Sequence, residues 1–163
     1  MNFKGSVVDG PHAWLSRLVG EWHCTTKLWL EPGILHEEVP ISGTMRLAQD
    51  GMILQHTCTS ACMGKPQSGM ALHGFSWGED RWTTSWIDSF HNGTRIMLSE
   101  GAPGTDKSHL NVLGHYPAAP DPAWGWRTTL ELKSGDRLVI THCNRTPQGE
   151  EAKAVEIDYR RES

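Results

Sequence analysis

The chain has 163 residues, with 15 Lys and Arg against 19 Asp and Glu and a net charge of −4 with histidine neutral. That length fits one domain, 1–163, with a real core. The acidic balance, without any block of five like charges, excludes a surface built to track phosphates, so no nucleic-acid partner is expected. No apolar run is long enough to span a bilayer, and the opening MNFKGSVVDGPHAW lacks the apolar stretch of a secretory leader, so the expectation is a soluble cytoplasmic protein with no membrane partner.

From Pro11 to Val19 the pattern predicts a short helix, with Asp9 as its cap, proline in the first turn, and Trp14, Leu15 and Leu18 at helical spacing. Beyond Gly20 the period changes to two, and turn signals punctuate the chain: DG at 50–51, WGED at 77–80, NG at 92–93, GTD at 104–106, SGD at 134–136 and PQGE at 147–150. Turn signals at intervals of about 8 to 12 residues between β-favouring runs are the mark of an all-β sandwich or barrel.

Ten strands are predicted in order. The first, 21–30, sets Trp22, Cys24, Thr26, Leu28 and Leu30 on one face. The second, 39–47, does the same with Val39, Ile41, Gly43, Met45 and Leu47. The third, 52–60, and the fourth, 68–76, alternate less cleanly. The fifth, 81–88, puts Asp88 in phase with Trp82, Thr84 and Trp86, and the sixth, 94–100, carries Glu100 in phase with Ile96 and Leu98. The seventh is 108–116. The eighth, 124–132, aligns Trp124, Trp126, Thr128, Leu130 and Leu132; the ninth aligns Leu138, Ile140 and His142; the tenth aligns Val155, Ile157 and Tyr159. The three prolines and two glycines of GHYPAAPDPAWGW, 114–126, read as a long loop folding over one end.

Ten consecutive antiparallel strands leave two aggregation-prone edges unless the sheet closes. The predicted fold is therefore all-β: one antiparallel up-and-down barrel of about ten strands over 20–161 behind a short N-terminal helix. A barrel of this size has room for one small ligand. Eight Trp and nine His in such a chain suit the lining of a sizeable space. Cys24, Cys58, Cys62 and Cys143 are too few for a disulfide scaffold and read as reduced thiols.

The order LVGEW at 18–22, GMALHGF at 69–75, SWIDS at 85–89, SEG at 99–101 and GEEAKAVEIDYRR at 149–161 resembles the DUF1579 family, and LVGEW is similar to the GxW signature of lipocalin-like barrels. The resemblance implies a calycin-like β-barrel, related in shape to lipocalins, fatty-acid-binding proteins and haem-binding nitrobindin-type barrels. It implies no catalytic residues, because the family has no settled activity. QHTCTSAC and THCN depart from the family pattern and bring His56, Cys58, His142 and Cys143 into question as specialised pocket residues.

Three groups could carry chemistry. Asp88, at the end of an inward face, is suited to acid–base work or to orienting a ligand, or else caps the SFHNG turn through backbone N–H groups. His56, in phase with Met52, Leu54 and Cys58, and His142 are candidates to face the interior, while His109 and His115 fall in phase with Leu113; a lone barrel histidine is otherwise a satisfied polar residue. Glu100 either pairs with an arginine or with Asp88 inside the cavity, or forms a strand-end salt bridge. HTCTSAC offers no strong metal spacing and GxSxG is absent.

The leading expectation is a small hydrophobic or aromatic ligand in a cavity lined by Trp22, Met45, His56, Trp82, Trp86 and Trp126, with Asp88 fixing its orientation. The alternatives are a cofactor-free isomerase, cyclase or lyase in which Asp88, Glu100 or His142 moves a proton, and haem or zinc binding through His56 or His142. No cofactor is expected in the leading reading. An exposed strand, or the 114–126 segment, offers a surface for a homodimer.

Overall fold

A computed structural model describes residues 2–105 and 109–163. The last residue of the GTD turn and the first of the expected seventh strand fall at 106 and 108, outside the described residues. The chain opens with two short helices, α1 (Phe3–Asp9) and α2 (Pro11–Ser16). Ten strands follow: β1 (Gly20–Glu31), β2 (Ile34–Ala48), β3 (Ile53–Cys62), β4 (Lys65–Ser76), β5 (Arg81–Asp88), β6 (Met97–Gly101), β7 (Leu110–Ala118), β8 (Asp121–Ser134), β9 (Arg137–Arg145) and β10 (Glu151–Arg161). Each strand pairs antiparallel with its neighbours in sequence, and β1 pairs with β10 from Trp22↔Arg161 to Leu28↔Val155, so the sheet closes into a barrel with no free edge.

The helical region differs from the single helix expected. Asp9 is the last residue of α1, which is capped by Asn2 accepting from the Gly5 amide at 3.1 Å. Pro11 cannot continue that helix and instead starts α2. Helices this short are not stable alone; α2 is held because Trp14, Leu15 and Leu18 are buried against one end of the barrel. Trp14 packs edge-on to Trp82 at 5.5 Å, and the Trp22 indole N–H donates to the Leu18 carbonyl at 2.9 Å. The helices and the inward side chains of the first and fifth strands therefore plug this end.

Two hairpin ends show how local sequence sets the register. Between β3 and β4 the chain turns through Met63 and Gly64, both at positive φ (51° and 76°), as a two-residue I′ turn requires. Between β7 and β8 the expected long loop is absent: the strands run on as a hairpin, Tyr116↔Trp124 and Ala118↔Asp121. Pro117 is tolerated because β6 pairs with β7 at Ser99↔Gly114 and Glu100↔Leu113 and at no described position beyond, so it has no partner on that side to need its N–H, while Pro120 falls between the two strands.

The sixth strand also runs differently from its expected phase. Pairing sets Met97 opposite Trp86, Ser99 opposite Thr84 and Gly101 opposite Trp82, and opposed residues share a face. Met97 and Ser99 therefore point inward, while Ile96 and Leu98 face out at 64% and 71% exposure, and Glu100 with them. On β7 the inward residues are Leu110, Val112 and Gly114, which leaves His115 exposed on the outer face beside half-buried Leu113.

Candidate functional site

At the end of the barrel away from the helices the interior is hollow. A cavity of about 450 Å³ lies among residues of all ten strands, walled by Trp86, Trp126, Met97, Ile41 and Ile157 and bordered by the segment 89–96 through His91, Asn92 and Arg95. Trp86 fits because Gly69 lies beneath it: a Cβ there would sit 2.2 Å from the indole Cη2. Trp126 stacks on His142, centroids 5.4 Å apart and planes 20° apart, and Trp86 approaches the same imidazole at 6.3 Å.

Asp88, 8% exposed, borders this cavity, and its carboxylate is already engaged. Oδ2 accepts from the Trp86 indole N–H at 2.8 Å, and Oδ1 accepts from the amides of Phe90, at 2.7 Å, and His91. One side chain thus caps the turn after β5 and fixes the rotamer of a cavity-wall indole. Asp88→Asn puts an amide N–H where one of these donors needs an acceptor. It is expected to cost about 1–2 kcal/mol and to alter tryptophan emission, read by urea titration followed in fluorescence; an unchanged midpoint and spectrum would refute this positioning role.

Three imidazoles lie inside the barrel. His142 shares a 2.9 Å hydrogen bond between Nδ1 and Thr128 Oγ1, which leaves Nε2 as the nitrogen open to a guest. His56 Nε2 pairs with the Tyr159 hydroxyl at 3.0 Å, and His73 Nδ1 with Thr84 Oγ1 at 2.9 Å. Gly43 makes room for the His56–Tyr159 pair, since a Cβ there would sit 2.2 Å from the phenol oxygen. Burial pushes His56 and His142 down to about 4, with neighbouring imidazoles adding to the effect, and His73 down to about 3. All three are neutral at neutral pH. Burial pushes the Cys58 thiol up to about 11, so the cavity holds it as a thiol rather than a nucleophilic thiolate.

Above these groups the Tyr116 hydroxyl donates to Asn144 Oδ1 at 2.7 Å at the cavity wall. Among the described residues no three His, Cys, Asp or Glu side chains are placed to hold a metal ion. No described helix is long and apolar enough to cross a membrane.

The family model of DUF1579, described as a protein of unknown function, matches residues 8–161. The chain belongs to the DUF1579 family. None of the curated proteins matches it in sequence. Among solved structures this DUF1579 barrel is similar to the S-type phycobiliprotein lyase CPES from Guillardia theta, with a TM-score of 0.57 and 11% identity over 93% of this chain and 92% of that one. At that identity the likeness reaches the fold.

Within the DUF1579 barrel, the residues expected at the site separate by depth. Trp86, Trp126, Asp88 and His142 border the cavity. Trp22 and Met45 are fully buried below it, and Trp82 packs between Trp14 and Phe75, so none of these three meets the cavity. His56 lies below the main cavity, beside a smaller chamber. Glu100 is exposed on the outer wall, paired with Arg81 at 2.9 Å, far from any interior partnership with Asp88. Two interior groups went unread in the sequence. His73 is in phase with Ala71 and Phe75 within GMALHGF, a period-two signal that could have found it. Asn144 continues the His142 face.

Proposed function

We propose that the barrel binds one small, largely apolar and aromatic molecule in the 450 Å³ cavity. The observation that carries this reading is the cavity's construction: a hollow, open at one end, with two indoles and an imidazole arranged around a largely apolar volume, and with polar side chains such as Asp88, Arg95, Tyr116 and Asn144 along its wall. That is the usual composition of a small-molecule site. The stacked Trp126–His142 pair offers a flat face to a planar guest, and His142 Nε2 and the Tyr116–Asn144 pair offer hydrogen bonds to fix its orientation. A barrel of the same shape bears the name of a phycobiliprotein lyase, which is consistent with a fold that encloses an organic molecule.

A second reading is a cofactor-free enzyme in the same cavity, favoured by one observation: His142 is neutral, open to the cavity at Nε2 and oriented through Nδ1 by Thr128, the arrangement of a positioned proton acceptor. Native mass spectrometry of the protein as purified identifies what the cavity retains. Trp126→Ala is expected to weaken that ligand about tenfold or more in a fluorescence titration, and an affinity unchanged by the substitution would count against the cavity as its site. His142→Gln separates the readings, weakening binding modestly for a carrier and removing turnover of the retained molecule for an enzyme.

A further inference from the structure

Beneath the main cavity lies a second, much smaller chamber of about 20 Å³. Trp86, Met97, Trp126, His142 and Ile157 line both spaces, so the two adjoin and share part of their wall. The chamber is unlike the apolar core under it. His56, His73, Thr84, Ser99 and Thr128 all border it, and all but Ser99 are engaged in the His–Thr and His–Tyr pairs described above. One atom is left over: Nε2 of His73, in a side chain 2% exposed, is buried with no hydrogen-bond partner. A buried polar nitrogen without a partner is destabilising, and a volume of this size admits one water-sized group and nothing larger.

We propose that this chamber is a subsite for a single hydrogen-bonding oxygen of the ligand, and that the barrel therefore selects an aromatic molecule whose inner edge ends in a hydroxyl. The inference rests on the reading of the main cavity as a ligand site and adds the class of molecule it takes. Water fills the place in the empty barrel, and the ligand's oxygen replaces it, taking over the bond to His73 Nε2. The neutral state of the surrounding imidazoles fits a neutral oxygen and opposes a carboxylate, whose charge would be buried without a cation. The size limit opposes an alkylated oxygen.

Three probes test this by calorimetric or fluorescence titration of the whole chain: naphthalene, 2-naphthol and 2-methoxynaphthalene. A purely apolar cavity favours naphthalene, because burying an unpartnered hydroxyl is costly. The expected result is the reverse, with 2-naphthol about tenfold tighter than either of the others. The preference should collapse to a ratio near one in His73→Leu, which removes the orphan nitrogen, and in Ala71→Val, which fills the chamber from its wall. Having two variants keeps the test intact if one fails to fold. Naphthalene bound as tightly as 2-naphthol, or a preference that survives in both folded variants, overturns the subsite alone. Failure of all three probes to bind overturns the ligand cavity and the subsite together.

Discussion

Lowering the pH from about 7.5 to about 5 is expected to destabilise the barrel by on the order of 5 kcal/mol. His56 and His73 are buried and His142 is half-buried, all in the neutral form, with folded values of about 4, 3 and 4 against 6.5 in the unfolded chain. Above 6.5 neither state binds the proton, and the full stability is present. As the pH falls below 6.5 the unfolded chain takes up protons that the folded chain refuses, so stability drops through the window between 6.5 and about 4. Near pH 5 each histidine contributes a loss of about 2 kcal/mol, and His12, also lowered by burial, acts in the same direction. The paired carboxylates do not confuse the reading. Asp158, held low by its hydrogen bonds to Arg137, loses its contribution only as the pH falls through its depressed value, below the ordinary carboxylate range. Since a domain has about 5–15 kcal/mol in total, the effect would approach complete acid unfolding. Urea midpoints at the two pH values measure it, and equal midpoints would mean that the imidazoles are not buried neutral.

Removal of the Arg161 side chain is expected to cost about 3 kcal/mol, close to 10 °C in melting temperature for a chain of this length. The guanidinium at the end of β10 donates to the carbonyls of Gly135 and Arg17, each at 2.8 Å, and to that of Val19, while its face lies over the Trp22 ring at 4.2 Å. It ties the β8–β9 hairpin, the end of the helical plug and the barrel's closing strand pair at one point. Gly20 belongs to the same joint, for a Cβ there would sit 2.5 Å from Arg161 Nη1. A lysine ammonium cannot span three carbonyls and lie flat on an indole, so Arg161→Lys should recover less than half of the loss. Thermal melts followed by circular dichroism decide it, and an Arg161→Ala protein melting within about 2 °C of the parent would show the joint to be dispensable.

The strand count and the closure were legible because period-two alternation survives wherever one face is buried, as in Trp82, Thr84, Trp86 and Asp88 of β5 or Leu138, Ile140 and His142 of β9. Alternation reports a face, not a height along the barrel. Trp82 and Trp86 share a face, yet one is sealed into the plug and the other walls the cavity, because the helices cover only one end. Glu100 was misplaced for a related reason. Ile96 and Leu98 look like a core face, but β6 pairs with β5 at Trp86↔Met97, Thr84↔Ser99 and Trp82↔Gly101, and that register faces Met97 and Ser99 inward and turns Ile96, Leu98 and Glu100 outward. The prolines of 114–126 suggested a loop because their missing N–H groups usually break pairing; here the neighbouring strand has already ended. Asp88 joined two roles that looked exclusive in the sequence, since its two oxygens serve the turn and the Trp86 indole at once.

The brevity of β6 decides where the wall is softest. Among the described residues every other junction is held by at least five opposed pairs, and that between β6 and β7 by two. With the fewest opposed pairs among the described residues, this flank, beside the rim where Tyr116 and Pro117 stand, is where local opening is expected to cost least. The entrance is thus widened sideways at less expense than by unravelling any other part of the cylinder.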